Sequence, residues 1–445
     1  MKIILLSIFP LLGISVLSFS QTKVAIIGGG IAGVSTANYI QEFDPHAKIV
    51  LFEKENKLGG NAQTVEVKTI QGEKCLIDVG PQYFTKGPWD DYIQFIDETI
   101  GYESIVTESM AGTLLIQKKG NKIPTIVTPL NGKLRGEKLK NLLKLKKFNS
   151  LAYDVYKNPE EWRDKTIEFW VESLNFSVDY KKEIIYPFLA ASLGTTIEQI
   201  KKTSTVEIVS LFAFRKPRAS NSFFIVQEGM GGVLQRVGNQ LVKKGVEIRT
   251  NSPVLSVVKN NDGFTIYSFE NGKSISTDVD FVVMAVHADI AGRLLKNEPE
   301  LKSVSELLGQ FPYFEAKIVV HQDTCFINSE KPTFLNIFTD ENNQLLFSTM
   351  NLSLISQRLN GIYKSWMSEQ DLLKVKERGL LLHETTFYHP LITPDFVENN
   401  KNLKKITDSY DNFSVVGGWT EGLETQNSAV ISAKRALEKY KNYSK

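Results

Sequence analysis

A glycine-rich turn between a short apolar run and a helix is the feature that most restricts how this chain can fold. Residues 23–33 read KVAIIGGGIAG, and the apolar run at 24–27 predicts a buried parallel strand. The glycines have the spacing G-x-G-x-x-G, in which the first permits a tight turn, the second admits a pyrophosphate and the third lets the helix pack on the strand. Because the first amides of a helix favour phosphate, the predicted cofactor contacts are Gly28, Gly30, Ile31, Ala32 and Gly33.

The segment after this turn completes a β-α-β unit. Residues 31–41 predict a helix, and residues 48–52 predict a second strand. Glu53 lies 20 residues beyond Gly33, and a carboxylate at that place accepts hydrogen bonds from both hydroxyls of a ribose and repels a 2′-phosphate. We therefore expect Glu53, with Lys54 beside it, to hold the adenosine ribose of a dinucleotide. The unit alone does not distinguish a nicotinamide from a flavin dinucleotide.

Three further segments distinguish between these cofactors. Residues 53–62 (EKENKLGGNA), 78–83 (DVGPQY) and 416–426 (VGGWTEGLETQ) resemble the flavin-dependent amine oxidase and phytoene desaturase superfamily. Within it, the sequence is most similar to the FAD-dependent oxidoreductases related to lipid-modifying enzymes, including the polyenoic fatty acid isomerase. The resemblance covers most of the chain from Lys23 onward and implies that the cofactor is FAD.

Carried over residue by residue, the resemblance implies where FAD is held. The expected contacts are Gly59, Gly60, Asn61 and Ala62 at the pyrophosphate and flavin edge, Gly80, Pro81, Gln82 and Tyr83 at the isoalloxazine ring, Val254 at the adenine, and Gly418, Trp419, Glu424, Thr425 and Gln426 at the ribityl chain and flavin. The family usually has a basic residue where this chain has Asn61, which leaves one phosphate or flavin contact open.

Strand-like runs near the start, in the middle and at the end of the chain are separated by mainly helical stretches. This order predicts an α/β fold with a Rossmann-type FAD-binding domain assembled from discontinuous segments and a second, α+β substrate domain. The predicted bounds are 22–89, 223–292 and 405–445 for the FAD-binding domain and 90–222 and 293–404 for the substrate domain.

The chemistry that the resemblance implies is hydride transfer to flavin N5, for which the protein supplies orientation and exclusion of water. Lys317 is the predicted catalytic residue, because amine oxidases of this superfamily carry a lysine on a comparable strand, where it holds a water near N5. The alternative is a solvent-facing lysine on an alternating strand.

An H-x-D pair (His321, Asp323) and a Tyr-His-Pro motif at 388–390 resemble motifs of the lipid-related members and are interpreted as structural. No histidines lie at metal-ligand spacing, so no metal site is predicted.

The N-terminus predicts an exported protein. Lys2 is followed by 18 residues without a charge, which end in Ser-Phe-Ser at positions 18–20. This pattern is typical of a cleaved signal peptide at 1–20 and predicts a periplasmic or secreted location, with a retained membrane anchor as the alternative. In an oxidising compartment, Cys75 and Cys325 either pair or remain two buried thiols.

The nearly balanced charge of the chain limits the kinds of molecule that it can bind. Lys plus Arg is 52 and Asp plus Glu is 50, so the chain lacks the basic excess that nucleic-acid binding requires. Residues 131–150 are locally basic, with seven Lys or Arg against Glu137, and include Leu139, Leu142 and Leu143. This segment is either a solvated helix face or a surface helix that rests on an anionic membrane.

These observations predict an exported FAD-dependent oxidoreductase that removes a hydride from a small organic substrate, either an amine or a lipid-like molecule. Two other functions remain open. One is a redox-neutral isomerase of polyunsaturated fatty acids, in which the hydride leaves and returns. The other is a non-catalytic dinucleotide-binding protein.

Overall fold

The structure is a computed structural model that describes residues 21–108, 113–121, 123–127, 135–213, 223–328, 330 and 332–445. The predicted signal peptide at 1–20 lies outside the described residues. Within them, no helix has both the length and the apolar character that a bilayer crossing needs.

The strands, in chain order, are β1 (Lys23–Ile27), β2 (Lys48–Phe52), β3 (Thr64–Lys68), β4 (Lys74–Asp78), β5 (Ile105–Glu108), β6 (Leu114–Lys118), β7 (Ile126–Val127), β8 (Phe223–Val226), β9 (Glu247–Arg249), β10 (Val254–Lys259), β11 (Phe264–Glu270), β12 (Lys273–Val279), β13 (Phe281–Met284), β14 (Tyr313–His321), β15 (Leu335–Thr339), β16 (Leu345–Asn351), β17 (Tyr363–Met367), β18 (Leu381–Pro390) and β19 (Phe413–Val415).

The α-helices are α1 (Ile31–Phe43), α2 (Asp90–Ile100), α3 (Glu137–Lys157), α4 (Ile167–Ser173), α5 (Val178–Tyr180), α6 (Tyr186–Leu193), α7 (Ile197–Lys202), α8 (Thr205–Ala213), α9 (Gly229–Lys243), α10 (Ala288–Leu295), α11 (Lys302–Leu308), α12 (Glu369–Glu377), α13 (Pro394–Thr407) and α14 (Gln426–Tyr443).

A five-stranded parallel sheet forms the first layer, in the order β19-β13-β1-β2-β9. Strands β1 and β13 are apolar and almost wholly buried because helices and a further sheet cover both faces. Val24 and Ile26 pack towards α1, α9 and α14, whereas Ala25 and Ile27 pack towards α10, α11 and a three-stranded antiparallel sheet, β10-β11-β12. Since β1 has β2 on one side and β13 on the other, the turn that leaves β1 lies where the strand order reverses, which is the usual ligand position in such folds.

A seven-stranded mixed sheet forms the second layer, in the order β18-β14-β17-β16-β15-β6-β7. Its registers place Ala316 opposite Phe387 and Val320 opposite Lys364, so these side chains share one face, called here the Ala316 face. Lys317, Val319 and Ser365 belong to the opposite face, which α12 covers with Leu372 and Val375. Helices α3, α4, α6 and α8 form a separate core cluster beside this sheet.

The α/β fold class is confirmed, and the parallel sheet draws its strands from three separated parts of the chain. The domain bounds stay a prediction. Cys75 and Cys325 are both free thiols, the first partly and the second largely exposed, so neither the disulfide nor the buried pair of thiols describes them.

Candidate functional site

The first glycine turn joins β1 to α1 at the carboxyl edge of the parallel sheet. Gly28 has a φ of +113°, and a Cβ built on it would lie 2.2 Å from the carbonyl oxygen of Ala285. A Cβ on Gly33 would lie 1.9 Å from the carbonyl oxygen of Gly28. At Gly30 the nearest atom to such a Cβ is Gly60 Cα, 3.8 Å away. The fold therefore requires Gly28 and Gly33, whereas Gly30 leaves space beside the start of α1, which has no side-chain cap.

The second glycine pair lies directly against this turn. Gly59 donates its N–H to the carbonyl oxygen of Gly29 at 2.9 Å, and a Cβ on Gly60 would lie 3.1 Å from Gly30 Cα. Gly80 continues the set, because a Cβ there would lie 1.9 Å from the carbonyl oxygen of Asn61. The three segments 28–33, 59–62 and 80–83, assigned separately to the cofactor, are thus neighbours in space.

The predicted ribose acid, Glu53, is buried at the end of β2. Its carboxylate accepts hydrogen bonds from the N–H groups of Gly29 at 2.7 Å and Glu55 at 2.8 Å. Ser252 donates its N–H to the carbonyl oxygen of Glu53 at 2.9 Å, which brings Val254, the first residue of β10, to the same corner. The side chain of Lys54 is exposed and pairs with Glu55 at 3.5 Å, so it lies at the rim of this corner.

The C-terminal segment supplies backbone and a helix start. Gly417 and Gly418 follow β19, and Thr425 caps α14 by accepting the N–H of Ser428. The indole of Trp419 is buried in the core against Phe311, with a ring separation of 5.1 Å. Its contact with the cofactor stays a prediction, and the side chain leaves the backbone of Trp419 for that contact.

A buried donor at the start of α14 lacks a partner. Gln426 accepts the indole N–H of Trp89 through Oε1 at 2.8 Å, while its Nε2 is buried and makes no hydrogen bond to any described residue. A buried amide donor without a partner is costly. Its position in the predicted flavin segment makes it a donor that is free for a bound cofactor.

Lys364, on β17, is a buried cation beside the predicted cofactor segment 80–83 that no sequence pattern indicated. Its Nζ is buried and donates to the carbonyl oxygens of Asp78 at 3.0 Å and Gly80 at 2.8 Å and to Gln82 Oε1 at 3.2 Å. All three donors of the ammonium group are therefore used in holding the segment that precedes Tyr83. Burial lowers the pKa of Lys364 and raises that of the Asp78 carboxyl.

The structure places Lys317, the predicted catalytic residue, away from the glycine turns. Lys317 forms an ion pair with Glu369 at the start of α12, on the face of the sheet opposite to Ala316 and Phe387. Phe387 faces the cofactor segments, since its Cζ would lie 3.7 Å from a Cβ on Gly80. Lys317 thus lies on the face that the alternative of a solvent-facing lysine expects, and its catalytic role stays a prediction.

A histidine–carboxylate pair connects the C-terminal segment to the Ala316 face. His389 Nδ1 lies 3.3 Å from Glu424 Oε2, and the rings of Phe314 and Phe387 lie 5.9 Å and 6.0 Å from the imidazole. Because Glu424 accepts from Nδ1, the neutral ring carries its proton there and presents Nε2 as an acceptor. The Tyr-His-Pro motif thus supplies a polar group within an aromatic wall.

A second carboxylate holds the turn before α14. Glu207, on α8, is partly buried and accepts the N–H of Leu423 at 3.0 Å through Oε2, and desolvation raises its pKa. Gly422 has a φ of +99°, and a Cβ there would lie 2.2 Å from that carboxylate oxygen. The helical region therefore contacts the C-terminal segment directly.

The H-x-D pair belongs to the covered face of the mixed sheet. His321 Nε2 lies 2.8 Å from Ser365 Oγ, and its Nδ1 accepts the N–H of Asp323 at 3.1 Å. Because Nδ1 is an acceptor here, Nε2 carries the proton and donates to the serine, the reverse of a nucleophile–base arrangement. The pair is structural. Within the described part of the chain, no three His, Cys, Asp or Glu side chains form a group that could hold a metal ion.

Comparison with known proteins places this geometry among flavoproteins. Residues 31–354 match the family model described as flavin containing amine oxidoreductase. Coproporphyrinogen III oxidase of Staphylococcus aureus (strain NCTC 8325 / PS 47) is 22% identical over 276 residues, which are 55% of this chain and 56% of that protein. The chain therefore matches little more than half the length of that relative, and only 18% of the protoporphyrinogen oxidase of Saccharomyces cerevisiae.

Solved structures show the same fold at low identity. Cyclohexylamine oxidase from Brevibacterium oxydans IH-35A superposes with a TM-score of 0.64 and 13% identity over 94% of this chain and 98% of that chain. Putrescine oxidase bound to putrescine superposes with a TM-score of 0.63 and 14% identity over 95% of this chain and 99% of that chain. These likenesses extend over nearly the whole length of both chains.

Proposed function

Since the chain belongs to the flavin-containing amine oxidoreductase family, we propose that it is an FAD-dependent oxidoreductase that removes a hydride from an organic substrate. The observation that carries the proposal is the hydrogen bond from Gly59 to Gly29, which joins the two glycine turns around the space at Gly30. Chain reversal alone does not require two glycine turns to be hydrogen-bonded to each other, whereas a shared pyrophosphate site does.

The residues present fit FAD. Gly30 leaves room against the uncapped start of α1, where amides and the helix dipole favour a diphosphate. Glu53 is placed for the ribose, and Gln426 Nε2 offers the unpaired donor near the flavin segment. FAD held there would supply an acceptor for the hydride of the substrate and would pass the electrons on to a second acceptor.

The side chains of this protein then orient the substrate and keep water away. Lys364 fixes the segment 78–82 from the Ala316 face, and Phe314 and Phe387 supply an apolar wall beside it. His389, held by Glu424, is the group that takes a proton released by the substrate, because its Nε2 is the free acceptor.

An amine or a lipid-like molecule is the substrate class that we propose. An aromatic wall that contains one imidazole suits an apolar body with a single polar group. The names of the structural neighbours, cyclohexylamine oxidase and putrescine oxidase, support the amine, whereas the lipid-related resemblance supports the second class.

The test uses purified protein and its visible spectrum. We expect flavin absorption, directly or after incubation with FAD. Anaerobic mixing with cyclohexylamine, putrescine, coproporphyrinogen III and linoleic acid, one at a time, should bleach the flavin for one class, and air should then restore the colour with release of peroxide or another reduced acceptor. Isomerised fatty acid without net bleaching would identify the redox-neutral reaction instead. A folded protein that takes up no FAD would overturn the proposal.

Export is a separate part of the proposal, supported by the uncharged run at 3–20. Expression with its own N-terminus in a Gram-negative host should yield mature protein that begins at Gln21 and fractionates outside the cytoplasm. A cytoplasmic protein that retains Met1 would contradict export.

A further inference from the structure

Helix α3 has an exposed apolar pair on the side that faces away from its core. Leu139 and Leu143 are 40% and 54% exposed and lie one turn apart. The opposite side of the helix buries Leu145, Phe148 and Ala152. The helix is thus apolar on two sides, and only one of them is explained by packing within the protein.

Lysines surround this pair. The first eleven residues of α3, 137–147, contain five lysines and one acid, Glu137, although the whole chain has a net charge of only +2. Two of the lysines lie over aromatic rings, with Nζ of Lys144 5.0 Å from the ring centre of Tyr180 and Nζ of Lys147 5.9 Å from that of Phe176. Glu137 pairs with Lys140, so the other cations have no acid beside them within this stretch of helix.

We propose that the surface formed by Leu139, Leu143 and the lysines of residues 138–147 docks the protein on a bilayer that contains anionic lipids. The leucines point outward, where they can enter the boundary between head groups and acyl chains. Lysines on both sides of them can reach back to lipid phosphates along their flexible stems.

Vesicle flotation with the full chain tests the proposal. Wild-type protein is mixed with vesicles of phosphatidylcholine alone, or of phosphatidylcholine with one third phosphatidylglycerol, at low and at high salt. We expect flotation with the anionic vesicles and a fall in binding of about tenfold at high salt, because each lysine near the surface contributes through a screened attraction. Failure to float with anionic vesicles at low salt would overturn the proposal.

Two variants separate the apolar from the charged contribution. Leu139→Ser with Leu143→Ser removes apolar surface without changing charge, and Lys140→Glu with Lys146→Glu and Lys147→Glu reverses the local field. Each should weaken binding by about fivefold or more. Both retain the buried side of α3, which circular dichroism checks. Residues 1–20 are present in every variant, so any binding that they cause is common to all.

Matched controls use exposed residues elsewhere. Val242→Ser with Leu373→Ser removes side chains that are 54% and 50% exposed, and the triple Lys68→Glu, Lys273→Glu, Lys302→Glu makes the same change in net charge. Both should bind within about twofold of wild type. An equal loss of vesicle binding in the charge control would show that net charge alone explains the loss in the α3 lysine variant. Loss in the α3 lysine variant but none in the leucine variant would show that the leucines do not enter the bilayer, and either result overturns the proposal.

Discussion

Single residues in the first turn are glycine for different reasons. Gly28 is required by the backbone, with its positive φ and the nearby carbonyl of Ala285, whereas Gly30 has a φ of −77° and a Cβ there would come no closer than 3.8 Å to another residue. Two substitutions that look alike in the sequence should therefore have different effects.

We expect Gly30→Ala to fold within about 0.5 kcal/mol of wild type and to lose at least about tenfold in FAD affinity, because its methyl group occupies the approach of the pyrophosphate. Gly28→Ala should lose about 2 kcal/mol or more of unfolding free energy, owing to strain and overlap. Urea denaturation of the apoprotein and flavin fluorescence titration measure the two effects. Equal loss of stability in both variants would show that Gly30 is also required by the fold.

A second comparison concerns two lysines on adjacent strands. Lys364→Met leaves the carbonyl oxygens of Asp78 and Gly80 without their buried donor, and should cost about 2 kcal/mol or more together with part of the bound flavin. Lys317→Met removes an ion pair that is partly open to solvent and should cost less than about 1 kcal/mol. Denaturation and the ratio of flavin to protein absorbance measure both variants. Greater loss of flavin in the Lys317 variant than in the Lys364 variant would support the role near the flavin that the sequence predicts for Lys317.

At the scale of elements, His321 joins β14 to β17 and its protonation should weaken that junction. Burial lowers the pKa of His321 from 6.5 to about 4, so the unfolded chain binds the proton at higher pH than the folded chain. This contribution is fully present above about pH 6.5 and is lost as the pH falls towards about 4, by about 2 kcal/mol at about pH 5.

Denaturation of wild type and of His321→Gln at several pH values measures this difference. The variant cannot titrate at this position, so its stability should fall less steeply between about pH 6.5 and 5. Parallel slopes in the two proteins would exclude His321 as the source of acid sensitivity.

Elements whose signal is local could be predicted. The strand at 48–52 has the predicted bounds, and α1 extends its prediction by two residues. The glycine turns were found because each combines a strand end with a fixed spacing. The burial of Lys364 was not predicted because β17 is a five-residue strand, YKSWM, and its sequence pattern does not indicate a buried lysine. Whether Lys317 or Lys364 lies on the Ala316 face depends on the register of β17 against β14, which pairs residues more than forty positions apart. A local sequence pattern does not contain this register.

At the scale of the whole molecule, the helical region and the C-terminal segment are coupled through Glu207. Glu207→Ala removes the acceptor of the Leu423 N–H and should weaken FAD binding by about fivefold, equivalent to about 1 kcal/mol. Glu207→Gln retains an oxygen acceptor and should bind FAD within about twofold of wild type.

Flavin fluorescence titration of the two Glu207 variants measures this coupling, and thermal unfolding with excess FAD should show the same order because ligand binding stabilises the folded state. Equal affinity in the alanine variant and the wild type would mean that the turn before α14 keeps its conformation without help from α8.

The parallel sheet has a consequence for how the protein is made. Its edge strand β19 and the helix α14, which packs on α1, come long after the turn that they support in the chain. A ribosome must therefore translate as far as α14 before the nucleotide cleft can close. Proteins truncated before residue 413 should expose the apolar surface of α1 and be degraded, even though their first β-α-β unit is intact.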